Sequence, residues 1–153
     1  MSNSFTQVYL QAVWAVKYRN AQLDKKWRKE MFAVIGNLIN QTGCETIIVN
    51  GVEDHVHCLF KLKPTVSISD LMQIIKAKSS KWLNESGKIN FRFEWQRGYG
   101  AFSYSKSAVN NVYNYIKNQE QHHEKRKFIP EFIDILKKSE IEYNKEYIFK
   151  ELE

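Results

Sequence analysis

Two runs in which apolar residues alternate with others, residues 44–52 and 55–63, are joined where Asn50-Gly51 marks a turn, and this join constrains the fold more than any other stretch. Side chains along a strand point alternately to opposite faces, and an Asn-Gly pair supplies the backbone that a tight turn needs. The two runs therefore predict neighbouring antiparallel strands. Pro64, which has no N–H for a ladder, closes the second. Within that second strand Val56, Cys58 and Phe60 share one face, which leaves His55 and His57 together on the other.

The rest of the chain arranges itself around this hairpin. Residues 4–16, rich in Val, Tyr, Trp and Phe, predict a long first strand ending at the basic turn Lys17-Tyr18-Arg19. Asp24 is a fitting N-cap for a helix with Trp27, Met31, Val34, Ile35, Leu38 and Ile39 on one stripe and Gly43 just past its end. Ser67 with Asp70 three residues on predicts a capping box. The helix it opens buries Leu71, Met72, Ile75, Trp82 and Leu83 and turns Lys76, Lys78 and Lys81 outward, as a solvated face or as phosphate contacts.

After a loop at 84–90, a fourth strand falls within 95–104, where Gly98 and Gly100 mark a bend or a close approach by another backbone. Ser107 caps a third helix through about Glu124, and a last helix over 129–138 carries Pro130 in its first turn with Phe132, Ile133 and Leu136. The tail from Glu140 sets Tyr143, Tyr147, Ile148 and Phe149 among charges, to pack on the body or on a partner. This order of elements is that of the α+β, ferredoxin-like split βαβ arrangement, RRM-like, with an antiparallel sheet, helices on one face and C-terminal helices added. We expect one domain over 1–153, with its core over about 4–124 and a C-terminal helix and tail over 125–153.

With 43% hydrophobic and 14% aromatic residues the chain is globular rather than disordered. A net charge of +6 admits an anionic partner such as nucleic acid without establishing one. Cys44 and Cys58 lie in apolar runs, as reduced, packed thiols do. No positive region followed by an apolar stretch opens the chain and no apolar run is long enough to span a bilayer, so a cytoplasmic protein is expected. Fold alone leaves function open, because the same arrangement hosts noncatalytic RNA-binding modules that stack bases on strand aromatics.

Two imidazoles side by side on a strand are able to share a divalent ion through neutral ring nitrogens, although such pairs are more often simply hydrogen-bonded. A later helix offers Tyr115 and Gln119, four residues apart and on one side, with His122 and His123 a turn further on. Tyr113 falls on the apolar stripe of Val109, Val112 and Ile116, as a core aromatic does. A phenol is a weak nucleophile at neutral pH, its ordinary pKa being about 10. Attack on a phosphodiester becomes feasible when a metal polarises the phosphate. On this reading His55, His57 and Gln119 hold Mg2+ or Mn2+ and Tyr115 attacks, whereas Gln119 as a surface amide and the two later histidines as a helix C-terminal cap remain open.

These residues carry a resemblance to the small HUH-class, single-tyrosine transposases of bacterial insertion sequences, the IS200 type. It runs from about Val8 to about Glu124, through Ala12-Val-Trp-Ala-Val-Lys17-Tyr-Arg19, Asp54-His55-Val56-His57, Ile75-Lys-Ala-Lys-Ser79-Ser80, Trp95, Gly98-Tyr-Gly-Ala-Phe-Ser103 and Tyr115-Ile-Lys-Asn-Gln119 up to His122-His123. The resemblance implies that the two strand histidines and Gln119 bind the divalent metal and that Tyr115 attacks single-stranded DNA at hairpin-bearing element ends. A 5′-phosphotyrosine link and a free 3′-hydroxyl would result. It also implies a homodimer with joined sheets, in which the tyrosine helix can serve the opposite subunit, and basic side chains on phosphates. Lys17, Arg19, Lys76, Lys78 and Lys81 are the candidates for that contact. Related readings with the same chemistry are a nickase of plasmid replication or conjugation and a domesticated relative that cuts chromosomal hairpins.

Overall fold

The computed structural model describes residues 4–17, 23–125 and 127–144, without the side chains of 123–125. Four strands, β1 (Tyr9–Ala15), β2 (Glu45–Gly51), β3 (His55–Lys61) and β4 (Gly100–Tyr104), form one antiparallel sheet in the order β2-β3-β1-β4. This is the expected split arrangement, with the strand that bears the histidines at the centre beside β1.

Strand parity divides the molecule into two cores. On one face Leu10, Ala12 and Trp14 from β1 join Val56, Cys58 and Phe60 from β3. Two helices cover them, α1 (Arg28–Gln41) through Met31, Phe32, Ile35 and Ile39, and α2 (Ile68–Glu85) through Leu71, Met72, Ile75 and Leu83. Cys58 is fully buried there, and that burial pushes its thiol up to about 12, the state of a packed, unreactive sulfur. Cys44 is also free and buried.

The opposite face carries Val13, Ala15, Leu59 and Phe102, and the later helices close over it. These are α3 (Val109–Lys117), α4 (Gln119–Lys125) and α5 (Phe128–Lys138). Val109 and Ile116 of α3 pack on Leu59 and Tyr9, and Phe128, Phe132 and Leu136 of α5 pack on Val13, Ala15 and Phe102. Helices thus lie on both faces, α1 and α2 on the dry one and the C-terminal set on the one that holds the histidines.

Several local expectations meet their physical tests here. Ser67 is the N-cap of α2, its Oγ accepting from the Asp70 N–H at 3.1 Å. Ser107 is not a cap. It lies within a 3-10 turn (Lys106–Ala108), and α3 opens after Ala108 with no side-chain cap. Asp24 sits one turn ahead of α1, where its carboxylate takes the Lys26 N–H at 2.8 Å and Trp27 occupies the N-cap position.

The third helix is also not continuous: it breaks at Asn118, so that Tyr115 lies in the last turn of one segment and Gln119 begins the next. Gly98 bends the chain with φ 85°, and Gly100 permits a close approach. The approach is by a ring rather than a backbone, since a Cβ on Gly100 would lie 2.9 Å from Phe132.

Among the described residues no helix is long and apolar enough to cross a membrane. Arg19 and the tail residues Tyr147, Ile148 and Phe149 lie outside the described residues, whereas Tyr143 packs against the α5 core. Because Ser67 makes a cap hydrogen bond and Ser107 makes none, Ser67→Ala is expected to cost about 1 kcal/mol in urea denaturation. Ser107→Ala is expected to stay within about 0.5 kcal/mol of the parent protein.

Candidate metal and nucleophile site

The strand pairing sets His55 beside Ala15 and His57 beside Val13, two small neighbours that leave room for the rings. Both histidines are fully buried, with ring centroids 5.0 Å apart at 71°. Each uses its Nδ1 on a nearby acceptor. His55 Nδ1 donates to Asp54 Oδ1 at 2.7 Å, and His57 Nδ1 lies 2.7 Å from Gln11 Oε1. In the neutral ring an acceptor at Nδ1 places the proton there and leaves the Nε2 lone pair facing inward, the form in which imidazole binds metals. Gln11 is in turn fixed by donating from Nε2 to the Tyr104 hydroxyl at 2.7 Å.

Two oxygens complete the inner ring of atoms. Gln119 Oε1 lies 3.2 Å from His55 Nε2, and Glu131 Oε1 lies 2.9 Å from His57 Nε2 and 3.4 Å from His55 Nε2. The Gln119 side chain is fully buried, and its Nε2 finds no hydrogen-bond partner among the described residues. With a proton on His55 Nε2 the Gln119 oxygen accepts it; with that nitrogen deprotonated both atoms turn a lone pair to one point, as ligands of a cation do, and the amide donor stays unpartnered. His55, His57 and Glu131 form a buried group able to hold a metal, their ligand atoms lying within 4.8 Å of one another. The donor set of two imidazoles and two oxygens fits a divalent ion.

The charges of the group are mutually arranged. Burial drives the His55 imidazole toward neutrality, but hydrogen bonds to Asp54 and Glu131 together outweigh it and raise the pKa to about 9. Burial prevails at His57 and lowers its pKa despite the Glu131 hydrogen bond. Glu131 is opposed by burial, yet the two histidines hold its carboxyl well below the usual carboxylate range.

Tyr115 meets this group edge-on, its ring 5.8 Å from that of His57, and the His122 ring stacks on it at 4.8 Å. Two features place Tyr115 and Gln119 there. A bulge between Thr46 and Ile48 shifts the phase of β2, so that Asn50 pairs with His57 and shares its face. Asn50 Nδ2 then donates to the carbonyls of Ile116 and Lys117 at 2.9 and 3.1 Å, satisfying acceptors at the end of α3. Arg28 of α1 holds the next segment by donating to Glu120 Oε1 at 2.7 Å. Tyr113, by contrast, packs half-buried with Val109 and Ile116.

The structure therefore brings His55, His57, Gln119 and Tyr115 together in one chain, and adds Glu131, which sequence reasoning missed. Glu131 sits twelve residues beyond Gln119 on a helix that the sequence marked only by its apolar stripe. The basic candidates divide. Lys17, Lys76 and Lys81 line one open groove with Arg92 and Arg97, whereas Lys78 lines a separate one with Leu38 and Thr65. Lys76 is half-buried and its Nζ donates to the Gln96 and Gly98 carbonyls at 2.7 and 2.9 Å, with burial lowering its pKa to about 8.

Residues 4–119 match the IS200-like transposase family. The transposase for insertion sequence element IS200 of Salmonella typhimurium is 29% identical over 112 residues, 70% of this chain and 73% of its own. The ISDra2 transposase TnpA of Deinococcus radiodurans is 24% identical over 118 residues, 74% and 84% of the two chains. A crystal structure of a candidate transposase from Deinococcus radiodurans R1 superposes with a TM-score of 0.60 at 20% identity, covering 78% of this chain and 95% of its own. A REP-associated tyrosine transposase bound to a REP hairpin gives a TM-score of 0.60 at 13% identity over 80% and 73%.

A raised folded-state pKa stabilises the protein below the unfolded value, and that contribution is lost as pH climbs through the folded value. For His55 the window runs from 6.5 to about 9. Between pH 7 and 8 Glu131 is ionised in both states and folded His57 is neutral, while Lys76, lowered to about 8, opposes the fall only as pH nears 8, so His55 sets most of the slope. With chelator present, stability in urea is expected to fall from pH 7 to pH 8, and Asp54→Asn is expected to flatten the fall.

Proposed function

The chain belongs to the IS200-like transposase family, and from that premise we propose that it cuts and rejoins single-stranded DNA at hairpin-bearing element ends through Tyr115. The observation that carries this reading is the meeting of two strand imidazoles, one amide and one phenol on a single sheet face. His55, His57 and Gln119 would hold Mg2+ or Mn2+. Bound there, the ion supplies charge neutralisation for the phosphate oxygens.

The chain's own residues do the rest. Gln11 and Asp54 hold the imidazoles in place, and the His122 ring stacked on Tyr115 limits rotation of the phenol. The Tyr115 oxygen forms a bond to phosphorus while the bond from phosphorus to the 3′ oxygen breaks. The phenolic proton ends on that 3′-hydroxyl, and the 5′ side stays on tyrosine. Attack by a 3′-hydroxyl on the phosphotyrosine reverses these bonds and rejoins the DNA. The exchange conserves one high-energy link and needs no external energy source.

A DNA hairpin is the ligand of the REP-bound structural neighbour and is the substrate class proposed here. Lys17, Lys81, Arg92 and Arg97 around one groove would contact its phosphates. Lys76, bonded to two carbonyls, would serve by holding the 96–98 segment in shape, and the place of Lys78 on another groove makes it the weakest of the proposed contacts. A homodimer is proposed as well. Since the tyrosine reaches the histidines of its own chain, each copy would cut with its own Tyr115.

Tyr115→Phe is expected to abolish the covalent protein–DNA adduct on a denaturing gel while retaining hairpin binding, and Tyr113→Phe to keep cleavage within a few-fold. Binding by Tyr115→Phe with no cleavage by the parent in any divalent metal would instead favour a noncatalytic binding module. Mixing Tyr115→Phe with His57→Ala is expected to restore no cleavage. Recovery of activity in the mixture would show that tyrosine and metal ligands act across subunits.

A further inference from the structure

Glu131 lies beyond the stretch matched to the family, on α5, yet its carboxylate enters the ring of atoms between the two histidines. It is 1% exposed and is held to both Nε2 atoms by one oxygen. With Asp54 and Gln11 taking the Nδ1 protons, His55 Nε2, His57 Nε2, Gln119 Oε1 and Glu131 Oε1 all turn on one point and, once both rings are neutral, are all acceptors. Four such atoms converge in a buried space only around a positive charge, either a proton shared among them or a bound cation. The separations of 2.9, 3.2 and 3.4 Å are those of adjacent ligands around one ion, since metal bonds of about 2.1 Å at right angles put neighbouring donors about 3 Å apart.

We propose that Glu131 is a fourth protein ligand of the cation read above onto His55, His57 and Gln119, so that metal loading and docking of α5 are one equilibrium. This rests on that metal reading. The helix is already built to bring the carboxylate in: Phe128 stacks on the His55 ring at 4.4 Å and 24°, and Phe132 seats against Phe102 beside Gly100, where any Cβ would collide with it. A carboxylate ligand also lowers the net charge of the loaded site by one relative to two imidazoles and an amide. That raises affinity for the ion, and the two imidazoles beside it favour Mn2+, which accepts nitrogen and oxygen donors alike, over the more strictly oxygen-seeking Mg2+. The alternative role is that of a hydrogen-bond acceptor only, with the Gln11 amide reversed and the His57 proton on Nε2.

The test is Mn2+ binding by calorimetry to the full chain and to Glu131→Gln and His57→Ala, each first checked for folding by circular dichroism in chelator. A second arm measures amide hydrogen exchange over 128–138 in the parent, with and without Mn2+. The proposal expects Glu131→Gln to weaken Mn2+ by about ten-fold or more. It also expects Mn2+ to slow exchange in α5 of the parent, whether or not the variant folds. Equal affinity of parent and Glu131→Gln, with His57→Ala weakened and α5 exchange unmoved by Mn2+, overturns the proposal and leaves the three-ligand reading standing. No saturable Mn2+ binding by the parent overturns both.

Discussion

Everything at the site depends on how the outer nitrogens of two buried histidines are held. Asp54 and Gln11 each engage an Nδ1 at 2.7 Å, and this turns both Nε2 atoms to a common point under the C-terminal helices. Without those outer partners a buried imidazole is free to choose its tautomer and its rotamer, and the inward pair of lone pairs is lost. A buried, hydrogen-bonded set of this kind is costly to leave half-satisfied, so the cluster imposes strong requirements on every element around it.

The fold meets these requirements through small irregularities. Asn50 and Gly51, which the sequence marks as the turn, instead end β2 opposite His57 and Val56, with any Cβ on Gly51 running into the His55 carbonyl. Residues 52–54 turn the chain into the first histidine. One extra residue in β2 moves Asn50 onto the face of the histidines, and its amide collects the loose carbonyls at the end of α3. The break at Asn118 that frees those carbonyls also starts a new helical segment at Gln119, which directs this amide at His55 while Tyr115 approaches His57. Gly100 leaves the space into which Phe132 settles, and α5 thereby carries Glu131 inward. The dry face, by comparison, is ordinary packing of α1 and α2 against Trp14, Cys58 and Phe60.

Much of this was legible beforehand, because it follows from period and spacing. The alternation around His55 and His57 gave their common face, the apolar stripes gave α1, α2 and α5, and the order of elements gave the split sheet. The spacing of Tyr115 and Gln119 brought both to the histidines even though the helix between them is interrupted. What escaped the sequence has no local signature. A bulge is one residue of phase, set by pairing with β3, and Asn50 reads as a turn residue until that shift puts it under α3. Glu131 is a single acid on an amphipathic helix, and only the docking of that helix on the sheet distinguishes it from a solvated charge. Ser107 has the composition of a cap but the chain around it winds as a 3-10 turn, and Lys76, read as an exposed cation, is drawn onto two carbonyls of the neighbouring segment.

The central claim is that His55 and His57 direct their Nε2 atoms at a single divalent ion. Electron spin-echo spectroscopy of the Mn2+-loaded protein, prepared with 15N-histidine, reads that directly. The account predicts couplings to two imidazole nitrogens of similar strength, one of them lost in His57→Ala when enough Mn2+ is added to load its weakened site. A Mn2+ signal with water protons alone and no nitrogen coupling would contradict it.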